Sequence, residues 1–146
     1  ERGERYLELA AAMKGAPADP DPRAIDDFAD SGVSDAAEIV EVFAKRFYFG
    51  CECDDPLSAL AFDGGMLPGR ARLNAVFGSD IGHWDVPDMR EVLPEAWELV
   101  EDGHLDAEDF RDFTFGNVVR FFTAAKPDFF AGTAIADAVR KLPPAR

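Results

Sequence analysis

Asn74-Ala75-Val76-Phe77-Gly78-Ser79-Asp80-Ile81-Gly82-His83-Trp84-Asp85 is the stretch on which the fold turns. Ala75-Val76-Phe77 is a short apolar run of the buried-strand type. Gly78 and Ser79 then loosen the chain, and Asp80 follows. A carboxylate at the end of a buried strand costs free energy unless a partner compensates it. In parallel α/β architectures the carboxyl end of a strand is where chemistry is placed. Asp80 is therefore either a loop cap or a ligand.

Working upstream, Phe47-Tyr48-Phe49-Gly50-Cys51 is apolar, aromatic-rich and without helical period, which predicts a second buried strand ending at Glu52. Asp55-Pro56 is an N-cap and first-turn pair, and Leu57, Leu60 and Ala61 continue it as a short helix. Strand, helix and strand within about thirty residues make a βαβ unit. Two fully apolar strands joined in this way predict a parallel pair covered on both faces. Before it, Ser34 is a candidate N-cap, and Ala36, Ile39, Val40 and Phe43 give a helical stripe to about Lys45. Residues 2–14 have helical spacing, and Gly15 to Pro22, with three prolines, forms a linker or extended arm. Arg23 to Asp30 is a weak helical turn.

Downstream, helices follow one another. Asp85-Val86-Pro87-Asp88 resembles a capping box, and Leu93, Ala96, Trp97 and Val100 form the stripe of the helix after it. Pro94 kinks or restarts that helix. Asp106 caps the next, with Leu105 and Phe110 as a hydrophobic staple. Phe115-Gly116-Asn117 predicts an interruption, with Asn117 capping a further helix over Val118, Phe121 and Phe122. A last helix runs from Thr133 to about Lys141. The expected class is α/β, helix-rich, in one domain over 1–146. Its parts are helix and linker (1–22), a strand-helix-strand region (23–85) and C-terminal helices (86–146).

Composition excludes several functions. The chain has 146 residues, 47% of them hydrophobic, enough for a modest core. Fifteen basic residues against 29 acidic ones leave a net charge of −14, which repels nucleic acid and anionic lipid. No apolar run approaches the roughly 20 residues that span a bilayer, and no signal-peptide pattern opens the chain. Cys51 and Cys53 are too close along one run for an unstrained disulfide, so free thiols and a cytoplasmic setting are expected. Cys51-Glu52-Cys53 lacks structural-zinc spacing and is assigned to packing. The phenylalanines at 110, 113, 115, 121, 122, 129 and 130 are assigned to the core, and the acidic run from Glu98 to Asp109 to a solvated face. Two strands cannot close a domain alone, so their open edges predict self-association.

Phe77-Gly78-Ser79-Asp80 with Gly82-His83-Trp84-Asp85, then Glu98 to Gly103 and Gly116-Asn117, resembles the C-terminal end of an amidohydrolase-type metal-dependent hydrolase. The branch it is most similar to includes the relatives of aminocarboxymuconate-semialdehyde decarboxylase. Tyr48 to Glu52 and Asp54-Asp55-Pro56 resemble strand seven and its following helix, and the likeness covers about Phe43 to Gly132. The resemblance implies the last part of a (β/α)8 barrel, a fold of about 250 residues. It implies a divalent metal, zinc being the expected one, in the parent enzyme and none in this chain alone. Asp80 would be the strand-eight ligand, able to orient or deprotonate a metal-bound water. The family's ligand histidines, including a His-x-His pair, have no counterpart here, because His83 and His104 do not map onto them.

His83 is a candidate for substrate contact or acid–base work, or an imidazole packed on Trp84. Glu52 and Trp84 are candidates for the substrate rim; Glu52 serves equally as a helix cap or ion-pair partner. His104, between helices, is assigned to the surface. The chain opens Glu1-Arg2-Gly3-Glu4-Arg5 with no initiator Met, and a piece of a longer polypeptide is expected. The functional expectation is a C-terminal part of a hydrolase or decarboxylase for a small organic substrate, inert alone. The alternative is a non-enzymatic acidic helical domain that binds a protein partner.

Overall fold

The computed structural model describes residues 31–145 together with Glu8. The expected helix over 2–14, the linker and the turn at 23–30 lie outside the described residues. The chain divides into two compact units, Glu1–Ile39 and Val40–Arg146.

Helix α1 spans Ala36–Arg46. Asp35 Oδ1 accepts the Glu38 N–H at 3.0 Å, and the Glu38 carboxylate reaches back to the Ser34 N–H and Oγ at 2.6 and 2.8 Å. The cap therefore sits one residue later than expected. Hydrogen bonds from Ser34 hold the Glu38 carboxyl below its usual range. At the other end Lys45 and Arg46 suit the helix dipole. The Asn74 amide donates to Ala44 O (2.8 Å) and Phe47 O (3.0 Å), satisfying carbonyls that a helix end leaves open.

Strands β1 (Tyr48–Glu52) and β2 (Asn74–Gly78) pair in parallel, with Tyr48 opposite Asn74 and Glu52 opposite Gly78. The expected strands and their direction are thus present. The connection is tighter than a crossover α-helix: two 3₁₀ turns, Pro56–Ala61 and Pro68–Arg70. Asp55 caps the first, its Oδ1 accepting the Leu57 N–H at 2.8 Å. Leu73 N donates to Ala61 O at 2.7 Å and ties this segment to the entry of β2. Gly78 is required by proximity, since a Cβ there would lie 3.1 Å from Cys51 O.

The expectation of strands covered on both faces is corrected. Ala75 is the buried strand residue; Phe47 and Gly50 are exposed, and a Cβ on Gly50 would meet nothing within 4 Å. Among the described residues the sheet has two strands, so each has an unpaired outer edge.

Helix α2 spans Val92–Glu101, starting well after the Asp85–Asp88 segment that resembled its cap. Asp88 instead closes its own turn, accepting from Arg90 N at 3.0 Å and pairing with the Arg90 guanidinium, which holds the Asp88 carboxyl low. Pro94 lies in the first turn, where its missing N–H costs nothing. The buried stripe is Val92, Ala96 and Leu99, so Leu93 and Trp97 face outward, one position off the expected phase.

Helix α3 (Ala107–Arg111) is capped by Asp106 as expected, its Oδ1 accepting from Glu108 and Asp109 N–H at 2.8 Å each. The expected break at Phe115–Asn117 is absent. A π turn, Asp112–Gly116, leads directly into α4, Asn117–Ala125, with the Asn117 N–H bonding Asp112 O. Gly116 is there because a Cβ would sit 2.6 Å from Asp112 Oδ1 and 3.0 Å from Arg120. Asn117 does not cap: it is buried, and its Nδ2 donates to Ala75 O at 2.8 Å, hooking α4 onto β2. Helix α5, Ala136–Arg140, is shorter than expected.

The core is Ala61, Phe62, Ala75, Leu99, Leu105 and Phe113, with Cys53, Val92 and Ala96 as a second cluster; Phe77 packs against both. Both cysteines are free thiols, and burial pushes the Cys53 thiol up. Two assignments are corrected here. Phe121, Phe122 and Phe129 are exposed rather than filling the core; Phe122 stacks on Phe129 and meets Phe121 edge-on. Asp109, expected on a solvated face, is buried and paired with Arg72. Among the described residues no helix is long and apolar enough to cross a membrane.

Candidate metal centre

The parallel pairing puts the carboxyl ends of β1 and β2 side by side, and the segment after Gly78 turns twice above them. Asp80 adopts φ +50°, a left-handed conformation that Asp tolerates better than most residues. Asp80 O then accepts the His83 N–H at 3.1 Å, and His83 O accepts the Val86 N–H at 3.3 Å. Gly82 at φ +108° permits the reversal between them.

These turns bring the side chains of Asp80, His83 and Asp85 together. One ligand atom from each lies within 4.8 Å of the others. His83 Nδ1 is 2.7 Å from Asp80 Oδ2, a hydrogen bond that orients the ring. Asp80 is half-buried, while His83 and Asp85 are exposed. Two carboxylates and an imidazole suit a divalent cation in donor type. Tetrahedral zinc ligands at about 2.0–2.1 Å from the metal stand roughly 3.3 Å apart, whereas His83 Nδ1 and Asp80 Oδ2, at 2.7 Å, are hydrogen-bonded to each other and do not flank an ion. For both to ligate one ion, that hydrogen bond would have to open.

Asp80 and His83 are thus brought together, and the imidazole lies against the carboxylate instead of packing on Trp84, which is 93% exposed. Glu52 is exposed at the end of β1, opposite Gly78 in register, and is not in the cluster. His104 is exposed, as expected. Asp85 went unnoticed as a ligand because Asp85-Val86-Pro87-Asp88 looked like a helix cap. The usable signal was the spacing Asp80-x-x-His83-x-Asp85 inside a glycine-containing loop.

No protein-family model, no characterised protein and no solved structure matches the chain.

Proposed function

We propose that the chain forms the C-terminal part of a metal-dependent, amidohydrolase-type (β/α)8 enzyme that hydrolyses or decarboxylates a small organic substrate. The observation that carries this reading is the juxtaposition of Asp80, His83 and Asp85 at the carboxyl ends of two parallel strands. Among the described residues the outer edges of those strands are unpaired, which supports it, since a barrel would continue the sheet on either side. In this reading Asp80 supplies one ligand oxygen, His83 fixes its orientation, and Glu52 with Trp84 stands on the rim where substrate enters. A divalent metal held there supplies Lewis acidity and a bound water whose pKa falls toward about 7. Two carboxylates on one loop, Asp80 and Asp85, hold an ion weakly, so the isolated chain is inert.

Zinc titration of the chain and of Asp80→Asn tests this. Weak binding, with a Kd above about 10 µM, weakened at least about tenfold further in the variant, is expected from two carboxylates on one loop. Tight stoichiometric binding with turnover by this chain alone would overturn the inertness.

A second reading is favoured by one observation. Phe121, Phe122 and Phe129 form an exposed aromatic patch on a strongly acidic chain, as on a domain that binds a protein partner. The parent open reading frame separates the two. A His-x-His after a strand, some two hundred residues upstream, decides for the enzyme.

The open edges also carry a prediction common to both readings. The chain self-associates by pairing a strand with a second copy. Light scattering over a dilution series should report a mass that rises with concentration; a constant monomer mass would count against edge pairing.

A further inference from the structure

At the amino ends of β1 and β2, the opposite end from Asp80, lies an open groove of about 600 Å³. Its lining includes Lys45, Arg70, Arg72 and Arg120 and, among the described residues, no carboxylate. Lys45 is paired with Glu41, Arg72 with Asp109 and Arg120 with Asp112, so the cation of the lining that has no ion pair among the described residues is Arg70. The volume is that of a small-molecule site.

Two of the guanidinium groups are held in place. Arg72 pairs with Asp109, donates to Phe62 O at 2.5 Å and lies 5.5 Å from the Phe62 ring centroid. Arg120 donates to Asn117 Oδ1 (3.0 Å), Asp112 Oδ1 (3.1 Å) and Pro143 O (3.2 Å). A guanidinium has five N–H donors, so each keeps donors beyond those used here. The buried carboxylates anchor both guanidinium groups, so little side-chain freedom remains to be lost when an anion meets the donors still open.

Arg70 is different. It is exposed, and among the described residues its side chain has no ion pair. Its φ is +57°, a left-handed conformation that is unfavourable for an arginine. It directly follows Gly69, at φ +64°, where a Cβ would meet Val40 at 3.3 Å. The turn Pro68–Arg70 thus places an exposed arginine, without an ion pair among the described residues, in the lining of the groove.

We propose that this groove binds a small organic anion, its acidic group held by Arg70, Arg72 and Arg120 and its apolar body against the half-buried Tyr48 and Leu73. The site is separate from the proposed metal site at the other end of the strands, so either can fail without the other. Carboxylate and phosphate share the geometry that an arginine fork accepts, and two probes distinguish them: phthalate and inorganic phosphate.

The experiment is an NMR titration of the ¹⁵N-labelled chain with each probe. Saturable shifts of the Tyr48 and Arg70–Asn74 amides are expected with at least one probe, and the tighter probe identifies the acidic group. Arg70→Gln keeps a residue of similar backbone preference and should weaken binding about five- to tenfold, the loss of one charge-assisted contact at a partly solvated site. Arg90→Gln, which removes a surface arginine outside the lining, should leave it unchanged. Three results would each overturn the site: no saturable shift with either probe, an unaltered affinity in Arg70→Gln, or an equal loss in Arg90→Gln.

Discussion

Replacing Phe113 by alanine should destabilise the chain by about 3–5 kcal/mol, the largest effect expected of any single substitution here. Phe113 is the one large side chain that is fully buried among the described residues. It stands edge-on to Phe62 (centroids 6.2 Å apart, 75°) and to Phe77 (5.8 Å, 83°), so it joins the connection after β1 to β2. Its position depends on the π turn, which adds a residue to the helical path and aims the ring at the sheet. The core around it is small, so a cavity there removes a large share of the packing. Domains of this size have about 5–15 kcal/mol of stability in total. Urea denaturation should therefore show a midpoint displaced far towards water, with the variant partly unfolded without denaturant. A loss below about 1 kcal/mol would mean that the ring is not the centre of the core.

Asp112→Ala should cost about 2–3 kcal/mol, whereas Asp137→Ala should cost nearly nothing. Asp112 is 5% exposed and takes Arg111 and Arg120 together, with Oδ1 distances of 3.2 and 3.1 Å to their Nη2 atoms. Removing the carboxylate leaves two guanidinium groups partly withdrawn from water. It also frees Arg120, which otherwise steadies Asn117, whose amide holds α4 to β2 through Ala75 O. The arginines keep some solvent, which places the cost below that of a fully buried pair. Asp137 pairs with Arg140 on the open surface of α5, where both ends are already hydrated. Denaturation of the two variants side by side separates these cases; equal losses would show that the buried network contributes no more than a surface pair.

What the sequence could and could not convey follows from the range of the interactions. The strands were legible because β-branched and aromatic runs without helical period have few other solutions, and the Asp55-Pro56 and Asp106 caps because they act within three residues. The phase of α2 was not. Leu93, Ala96, Trp97 and Val100 fit a helical stripe as well as Val92, Ala96 and Leu99 do, and only the tertiary contact chooses. Gly116 looked like a break because its actual cause, the carboxylate of Asp112 filling the Cβ space, is a contact across a helical turn that spacing does not reveal. Asn117 and Asp109 were misassigned for the related reason that their partners, Ala75 and Arg72, are remote in the chain. At the candidate centre, Asp80 and His83 were visible from their place after a strand, while Asp85 was hidden by its likeness to a cap.

The proposed metal site is tested most directly by isothermal titration of zinc into the wild-type chain and Asp80→Asn in parallel. One weak site, with a Kd above about 10 µM and affinity reduced at least about tenfold by the substitution, is the result this account predicts. Zinc binding that is unchanged by Asp80→Asn would contradict it, because the ion would then be held somewhere other than the carboxyl end of β2.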